Sequence, residues 1–244
     1  MLADTRHRPW ELPGRPWVLA MRWHDLLFMH WPVPCEVLRA SIPPSLAIDT
    51  FDNMAWIGVV PFRMTGVRPR VFPPLPWLSA FPELNVRTYV TTVGKPGVWF
   101  SSLDAANTIA VRMARRLAHL PYYDARMSSE RSGEAVHYSS ERTHRGAPAA
   151  AFRGTFRPIG PVARSSPGTL DHWLTERYCL YTTDRHRQVW RCDIHHAPWP
   201  LQPAAAEVEV NTMLQQIGLT LPDTPPLLHF ARRLEVVAWP LSRV

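Results

Sequence analysis

The segment Phe81-Pro82-Glu83-Leu84-Asn85-Val86-Arg87-Thr88-Tyr89-Val90 carries a carboxyl, an amide, a guanidinium and a phenol at alternate positions. Successive side chains of an extended strand point to opposite faces. Glu83, Asn85, Arg87 and Tyr89 therefore share one face, and Leu84, Val86, Thr88 and Val90 the other. The apolar face has to be buried. The polar face then meets either bulk water, the commoner arrangement of an antiparallel sheet, or the lumen of a barrel. Glu83 and Arg87 lie about 13 Å apart along a strand at ~3.3 Å per residue. That is too far for a direct ion pair but suits gripping the two ends of a small polar molecule. Arg87 would orient an anion, Glu83 would act as acid or base, and Asn85 and Tyr89 would complete the contacts.

Other residues offer chemistry with a structural alternative beside each. Tyr122 and Tyr123 follow Pro121. A phenol directed into a cavity can donate a hydrogen bond to a carbonyl or enolate oxygen, or simply pack its ring and leave its hydroxyl wet. His30 follows the short apolar run 26–29 and precedes Trp31. A buried neutral imidazole there is a general base near neutral pH, or a core histidine with an ordinary hydrogen bond. His195 and His196 are consecutive, so on a strand they diverge and cannot share one metal. His195 is retained as a ligand contact. His-x-His, His-Glu-x-x-His and Cys-x-x-Cys are all missing, and no metal or cofactor is expected. Arg177 could pair with a ligand carboxylate through its planar fork, or with Glu176 or a backbone carbonyl.

The elements that position these residues read as mainly β with a few helices, an α+β chain. Strand patterns recur at 55–64, 84–93, 98–103, 134–143, 151–157, 178–183, 189–195 and 230–239. Gly94-Lys95-Pro96-Gly97 is a hairpin turn, and 184–187 is the tip of a second hairpin. Asp104 is the expected N-cap of a helix over 105–119, with Ile109, Ala110, Met113, Ala114 and Leu117 as its apolar stripe. Shorter helices are expected at 167–177 and from Pro203 to Gly218. The 26 prolines fit short elements joined by rigid turns, and 69–76 reads as an extended loop. No internal repeat or linker divides the chain, so residues 1–244 are expected to form one domain, with 1–16 flexible.

The net charge of +7 invites a nucleic-acid reading, but Lys95 is the only lysine and the arginines are spread along the chain. A phosphate-binding surface concentrates its cations on one face or in a run, so no nucleic-acid partner is expected. Neither 18–21 nor 26–29 is long enough for a signal peptide or a membrane span. Three scattered cysteines suggest a reducing compartment. A cytoplasmic location and no membrane partner are expected, with oligomerisation left open.

Several stretches together resemble the YqjF-like branch of the acetoacetate decarboxylase-like superfamily. They are Leu26-Leu27-Phe28-Met29-His30-Trp31-Pro32-Val33, Ala55-Trp56-Ile57-Gly58-Val59-Val60-Pro61-Phe62, residues 81–90 and 94–105, Leu174-Thr175-Glu176-Arg177-Tyr178-Cys179-Leu180-Tyr181 and His195-His196-Ala197-Pro198-Trp199-Pro200-Leu201-Gln202. The resemblance implies a cone-shaped, largely antiparallel barrel with an internal cavity, but brings no known reaction. Decarboxylases of this fold carry a glutamate before a central strand, which Glu83 resembles, and a Pro-Lys-Lys that supplies a Schiff-base lysine. Here that motif reads Pro121-Tyr122-Tyr123. A tyrosine cannot form an imine, and Lys95 sits in a turn where lysine is normally solvated and protonated. The expectation is a protein that binds, and converts by lyase- or isomerase-type acid–base chemistry, a small carboxylate- or carbonyl-bearing molecule. The alternative is a sensor or carrier that uses the same cavity without catalysis.

Overall fold

The computed structural model describes residues 2, 4–75 and 77–244. In chain order it contains β1 (Leu19–Val33), α1 (Cys35–Arg39), β2 (Ala47–Ile48), β3 (Ala55–Pro69), β4 (Phe81–Thr92), β5 (Lys95–Ala105), α2 (Thr108–Leu117), β6 (Tyr122–Ser132), β7 (Ala135–Arg142) and β8 (Ala151–Pro158). There follow α3 (Leu170–Thr175), β9 (Cys179–Thr183), β10 (Val189–His196), β11 (Leu201–Asn211), a 3-10 turn (Gln215–Ile217), β12 (Leu227–Ala238) and β13 (Ser242–Arg243).

Neighbouring strands run β5-β6-β7-β8-β11-β12-β1-β3-β4, and β4 pairs with β5, so nine strands close into a barrel. The barrel is mixed: β5 runs parallel to β6, and also to β9, while the other pairings are antiparallel. The pairings of β9 with β5, of β9 with β10 and of β10 with β12 close a second ring. Strands β12, β1, β3, β4 and β5 thus form a wall common to both rings.

That wall has protein on each side. Leu27, Met29, Val59, Leu84 and Val86 pack against Val136, Tyr138, Phe152, Phe156 and Phe230 inside the nine-strand barrel. From the other face Phe28, Val60 and Phe62 pack with Trp199, Leu234 and Val236. This explains why β3 is a continuous apolar run: a strand buried on both faces has no solvent side to serve. Each fully buried aliphatic or aromatic side chain contributes roughly 1.5–3 kcal/mol relative to exposure.

Four local expectations need correction. Helix α2 starts at Thr108, capped by Asn107, whose Oδ1 accepts from the backbone N–H groups of Ile109 and Ala110 at 3.1 and 3.0 Å. The expected cap, Asp104, belongs to β5, which runs on to Ala105 opposite Glu83. The bulky part of the α2 stripe also faces outward: Val111 is buried and Ala110 half-buried, whereas Ile109, Met113 and Leu117 are exposed. The helix expected from Pro203 is strand β11, because pairing with both β8 and β12 overrides its alanine-rich helix propensity. Only the stop is as expected, Gly218 adopting the left-handed conformation (φ 74°) after the 3-10 turn.

The fourth concerns residues 1–16, of which 1 and 3 lie outside the described residues. The Arg8 guanidinium is buried, donates to the Ile194 carbonyl at 2.6 Å and stacks 4.8 Å from the Tyr178 ring. Trp10 Nε1 donates to Asp193 at 3.2 Å and Arg15 to the Pro240 carbonyl at 2.7 Å. The segment is strapped across β10, not loose. Residues 70–75 form the irregular loop expected after β3, and Pro76 lies outside the described residues.

Asp104 points into the nine-strand barrel, where its carboxylate accepts from Nε and Nη2 of Arg142 at 2.9 and 3.1 Å. Arg142 also donates to Gln216 Oε1 at 2.5 Å, and Gln216 Nε2 donates to Ser102 Oγ at 2.5 Å. Both charged side chains are essentially inaccessible. Asp104→Ala leaves the guanidinium buried and uncompensated and is expected to cost roughly 3–5 kcal/mol. Urea unfolding should show the lowered midpoint, and an Asp104→Leu/Arg142→Met double variant should recover much of the loss.

Candidate functional site

Strand β4 is hydrogen-bonded on both edges, and its register fixes what each polar side chain meets. Glu83 lies between Phe62 and Ala105, Asn85 between Val60 and Leu103, and Arg87 between Gly58 and Phe100. Glu83, Asn85, Arg87 and Tyr89 are 3%, 6%, 8% and 0% exposed. The polar face of this strand is therefore turned into the second ring and away from bulk water. Gly58 makes room for it: a Cβ there would sit 2.8 Å from His30 Cδ2 and 3.5 Å from Arg87 Cγ. An alanine would force the imidazole aside.

Arg87, Tyr89 and His30 form one chain of hydrogen bonds. Arg87 Nη2 donates to the Tyr89 hydroxyl at 3.1 Å and to the Leu174 carbonyl of α3 at 3.0 Å. A guanidinium only donates, so the Tyr89 oxygen accepts from it, and the same hydroxyl is hydrogen-bonded to His30 Nε2, 2.7 Å away. Burial, with the cations of Arg87 and Arg177 nearby, pushes the His30 pKa well below its usual value. The ring is thus neutral. The sequence suggested His30 as a general base; its Nε2 is engaged by Tyr89, and its buried Nδ1 has no partner.

Glu83 is the second centre. Its Oε2 accepts from the Tyr122 hydroxyl at 2.8 Å. Burial, reinforced by the Asp104 charge and opposed by the Tyr122 bond, raises its pKa from 4.5 to about 8. The side chain is a neutral carboxylic acid at neutral pH. Tyr138 donates to the carbonyls of Glu83 and Phe62 at 2.7 and 3.1 Å and so pins the backbone beneath it.

The remaining sequence-based candidates are distributed differently. Tyr123, adjacent to Tyr122 on β6, points away from Glu83 and lies under Arg142, 4.1 Å from its guanidinium, with His144 edge-on at 5.5 Å. Arg177 pairs through Nη1 with Asp49 at 2.5 Å and donates from Nε to the Trp173 carbonyl at 2.6 Å, while its buried Nη2 has no partner. It also stacks 4.7 Å from the Tyr89 ring, on which Arg87 packs too. His195 lies under the N-terminal strap, its ring 5.4 Å from that of His7 and its Nδ1 3.4 Å from Arg8. Its neighbour His196 stacks on Tyr178 at 4.7 Å and lies 5.5 Å from Trp199, so the two histidines diverge as strand geometry requires.

Two aromatics missed at the sequence level complete the enclosure. Phe28 of β1 lies 4.9 Å from the Arg87 guanidinium, 5.6 Å from the His30 ring and 4.8 Å from Trp199. Trp199 is clamped between Pro198 and Pro200, and its backbone N–H donates to Glu176 Oε1 at 2.8 Å. The Pro-Trp-Pro run was a usable signal, since two rigid neighbours hold an indole in one place.

Several polar atoms of this cluster are buried without a hydrogen-bond partner: Asn85 Oδ1, Arg87 Nε, His30 Nδ1 and Trp199 Nε1. Each unsatisfied buried group costs roughly 1–3 kcal/mol. Arg87 Nε and Trp199 Nε1 are N–H donors, set beside the protonated carboxyl of Glu83.

Residues 20–235 match DUF2071, a family of uncharacterized conserved proteins. The uncharacterized protein YqjF of Bacillus subtilis strain 168 is 47% identical over 233 residues, covering 96% of this chain and 95% of that protein. Solved structures share the architecture at much lower identity. The enduracididine biosynthesis enzyme MppR in complex with pyruvate aligns with a TM-score of 0.64 at 9% identity, over 94% of this chain and 91% of that one. An acetoacetate decarboxylase aligns with a TM-score of 0.62 at 12% identity, over 95% and 90%. The acetoacetate decarboxylase of Legionella pneumophila aligns at 0.58 and 12% identity, over 100% and 92%. Likeness at such identities shows the fold and nothing finer. The chain therefore has the acetoacetate decarboxylase-like fold and belongs to the DUF2071 family, as a relative of YqjF.

Proposed function

We propose that the chain binds a small carboxylate- or carbonyl-bearing molecule in the second ring, in front of the polar face of β4, and converts it by acid–base chemistry without a covalent amine intermediate. The observation that carries this reading is the set of unpartnered buried atoms on Asn85, Arg87, His30 and Trp199. An acceptor-rich ligand would satisfy the donors among them, and Arg87 Nε would supply charge to a carboxylate. Glu83, neutral at pH 7 and hydrogen-bonded to Tyr122, is the proton donor of the scheme. It would deliver its proton to a developing enolate or carbonyl oxygen, while the Tyr122 phenol stabilises the carboxylate left behind. The pyruvate bound to MppR supports the ligand class by analogy of fold only.

A carrier or sensor is the second reading, favoured by the two tyrosines that stand where a Schiff-base lysine would be expected. Turnover separates the two. In the first reading a ligand that raises the melting temperature is recovered changed, and Glu83→Gln abolishes the change while leaving the thermal shift. In the second it is recovered intact.

Asn85→Leu separates a ligand contact from a structural one. Removing an amide whose buried oxygen has no partner should leave the free protein as stable as wild type or more so, by up to about 1–3 kcal/mol. It should also shrink the melting-temperature shift produced by small keto acids. A destabilised free protein with an undiminished shift would contradict the assignment.

The raised Glu83 pKa has a stability consequence. The folded protein holds this proton up to about pH 8, while the unfolded chain releases it near 4.5. The folded state therefore binds the extra proton between those values, and its stability falls as pH rises through that window. Glu83→Gln keeps an acceptor for Tyr122 and has no proton to lose. Its advantage over wild type in denaturant titrations should grow from pH 4.5 and level off above pH 8. A pH-independent difference would show that Glu83 is ionised in the fold.

Finally, borohydride treatment with pyruvate or acetoacetate should leave Lys95 unmodified, as read by intact-mass and peptide spectra. Its ammonium sits at the β4–β5 turn, 5.2 Å from the Trp10 ring.

A further inference from the structure

Helix α2 turns its small residues inward and its large ones out. Ala110 and Val111 pack on the barrel, whereas Ile109, Met113 and Leu117 are 46%, 48% and 71% exposed. At 100° per residue these three form one ridge along the helix, and Arg112 and Arg116 form an adjoining row. Helix α2 contains no acidic residue. The loop that follows β3 reaches the start of the same helix, where the Asn107 side-chain amide donates to the Trp77 carbonyl at 3.1 Å. That loop exposes Phe72 and Trp77 at 62% and 65%, and Arg70 at its base is exposed as well. The loop, too, has no acidic residue.

We infer that this ridge is a docking surface for an anionic lipid surface, with α2 lying in the headgroup plane. The composition is that of an interfacial helix: aliphatic side chains beside arginines, with low mean hydropathy and neighbouring Trp and Phe. The sequence-based expectation of no membrane partner rested on the lack of a spanning segment, and among the described residues no helix is long and apolar enough to cross. An interfacial helix needs no span. The charge pattern selects the occupant. A second copy meeting this face about a two-fold axis would gather Arg112 and Arg116 from both chains with no acid from either patch, whereas anionic headgroups neutralise them at about 1 kcal/mol per arginine.

The test is co-sedimentation of the full chain with vesicles of phosphatidylcholine alone and of phosphatidylcholine mixed with phosphatidylglycerol. Binding is expected to the mixed vesicles only, and to weaken with added salt. Arg112→Ser/Arg116→Ser should lower the partition coefficient roughly 30-fold. Met113→Ser/Leu117→Ser should lower it about tenfold or more. Both double variants should keep the wild-type melting temperature, because the changed side chains are exposed. A wild-type chain that stays in the supernatant with both vesicle types overturns the inference. So does a dimer in sedimentation equilibrium that Met113→Ser/Leu117→Ser dissociates, which would assign the ridge to a second copy. Retention on an immobilised acidic peptide that anionic vesicles fail to displace would assign it to a protein partner.

Discussion

The structure depends on one constraint: five strands serve two closed rings at once. Along the central part of β1, β3 and β4, where both faces are covered, a buried polar group has no recourse to bulk water. It must find a partner inside the protein, find a ligand, or stay unsatisfied at a real cost. Strand alternation then divides the interior chemically. One side of β4 contributes leucine and valine to the larger barrel, and the other contributes an acid, an amide, a guanidinium and a phenol to the smaller ring. The dyad period of an extended chain is thus enough to build an apolar core and a buried polar face back to back.

Electrostatics on the polar face of β4 follow from its burial. Burial holds Glu83 and His30 in their neutral forms: Glu83 keeps a proton and His30 gives one up. The two adjacent tyrosines serve the interior unequally. Tyr122 reaches the acid, while Tyr123 serves as a platform for Arg142 on the other side of β6. A lysine at position 122 would face a buried carboxyl and pair with it as an ion. A phenol lets that carboxyl remain an acid.

Much of this was legible in the sequence, and the rest was hidden for identifiable reasons. The polar and apolar faces of β4 follow from alternation alone, and the strands at 55–64, 151–157 and 189–195 were evident from their apolar content. Strand β1 was not, because a bulge at Asp25 (φ 48°) breaks its period in the middle. Strand β6 was overlooked because it is polar for most of its length, with several exposed residues in its second half. The helix expected at Pro203 failed where two neighbouring strands outweighed local propensity. Whether the face of β4 met water or protein could not be read locally at all. It is decided by β9 and β10, about a hundred residues downstream in the chain.

The same long-range closure has a kinetic side. The first long strand, β1, finds one edge partner in β3 nearby, but its other partner is β12, the last long strand of the chain, with Leu26 opposite Ala231. On the ribosome, the wall shared by the two rings stays open along that edge until β12 has been synthesised. Pairings separated by so much chain are slow to form, because loop closure must be completed before they stabilise anything. In the meantime β1 presents a free edge and a run of apolar side chains, the combination that invites association between nascent chains. The double ring that buries the polar face of β4 thus also makes its closure a late event, completed only when β12 pairs with β1.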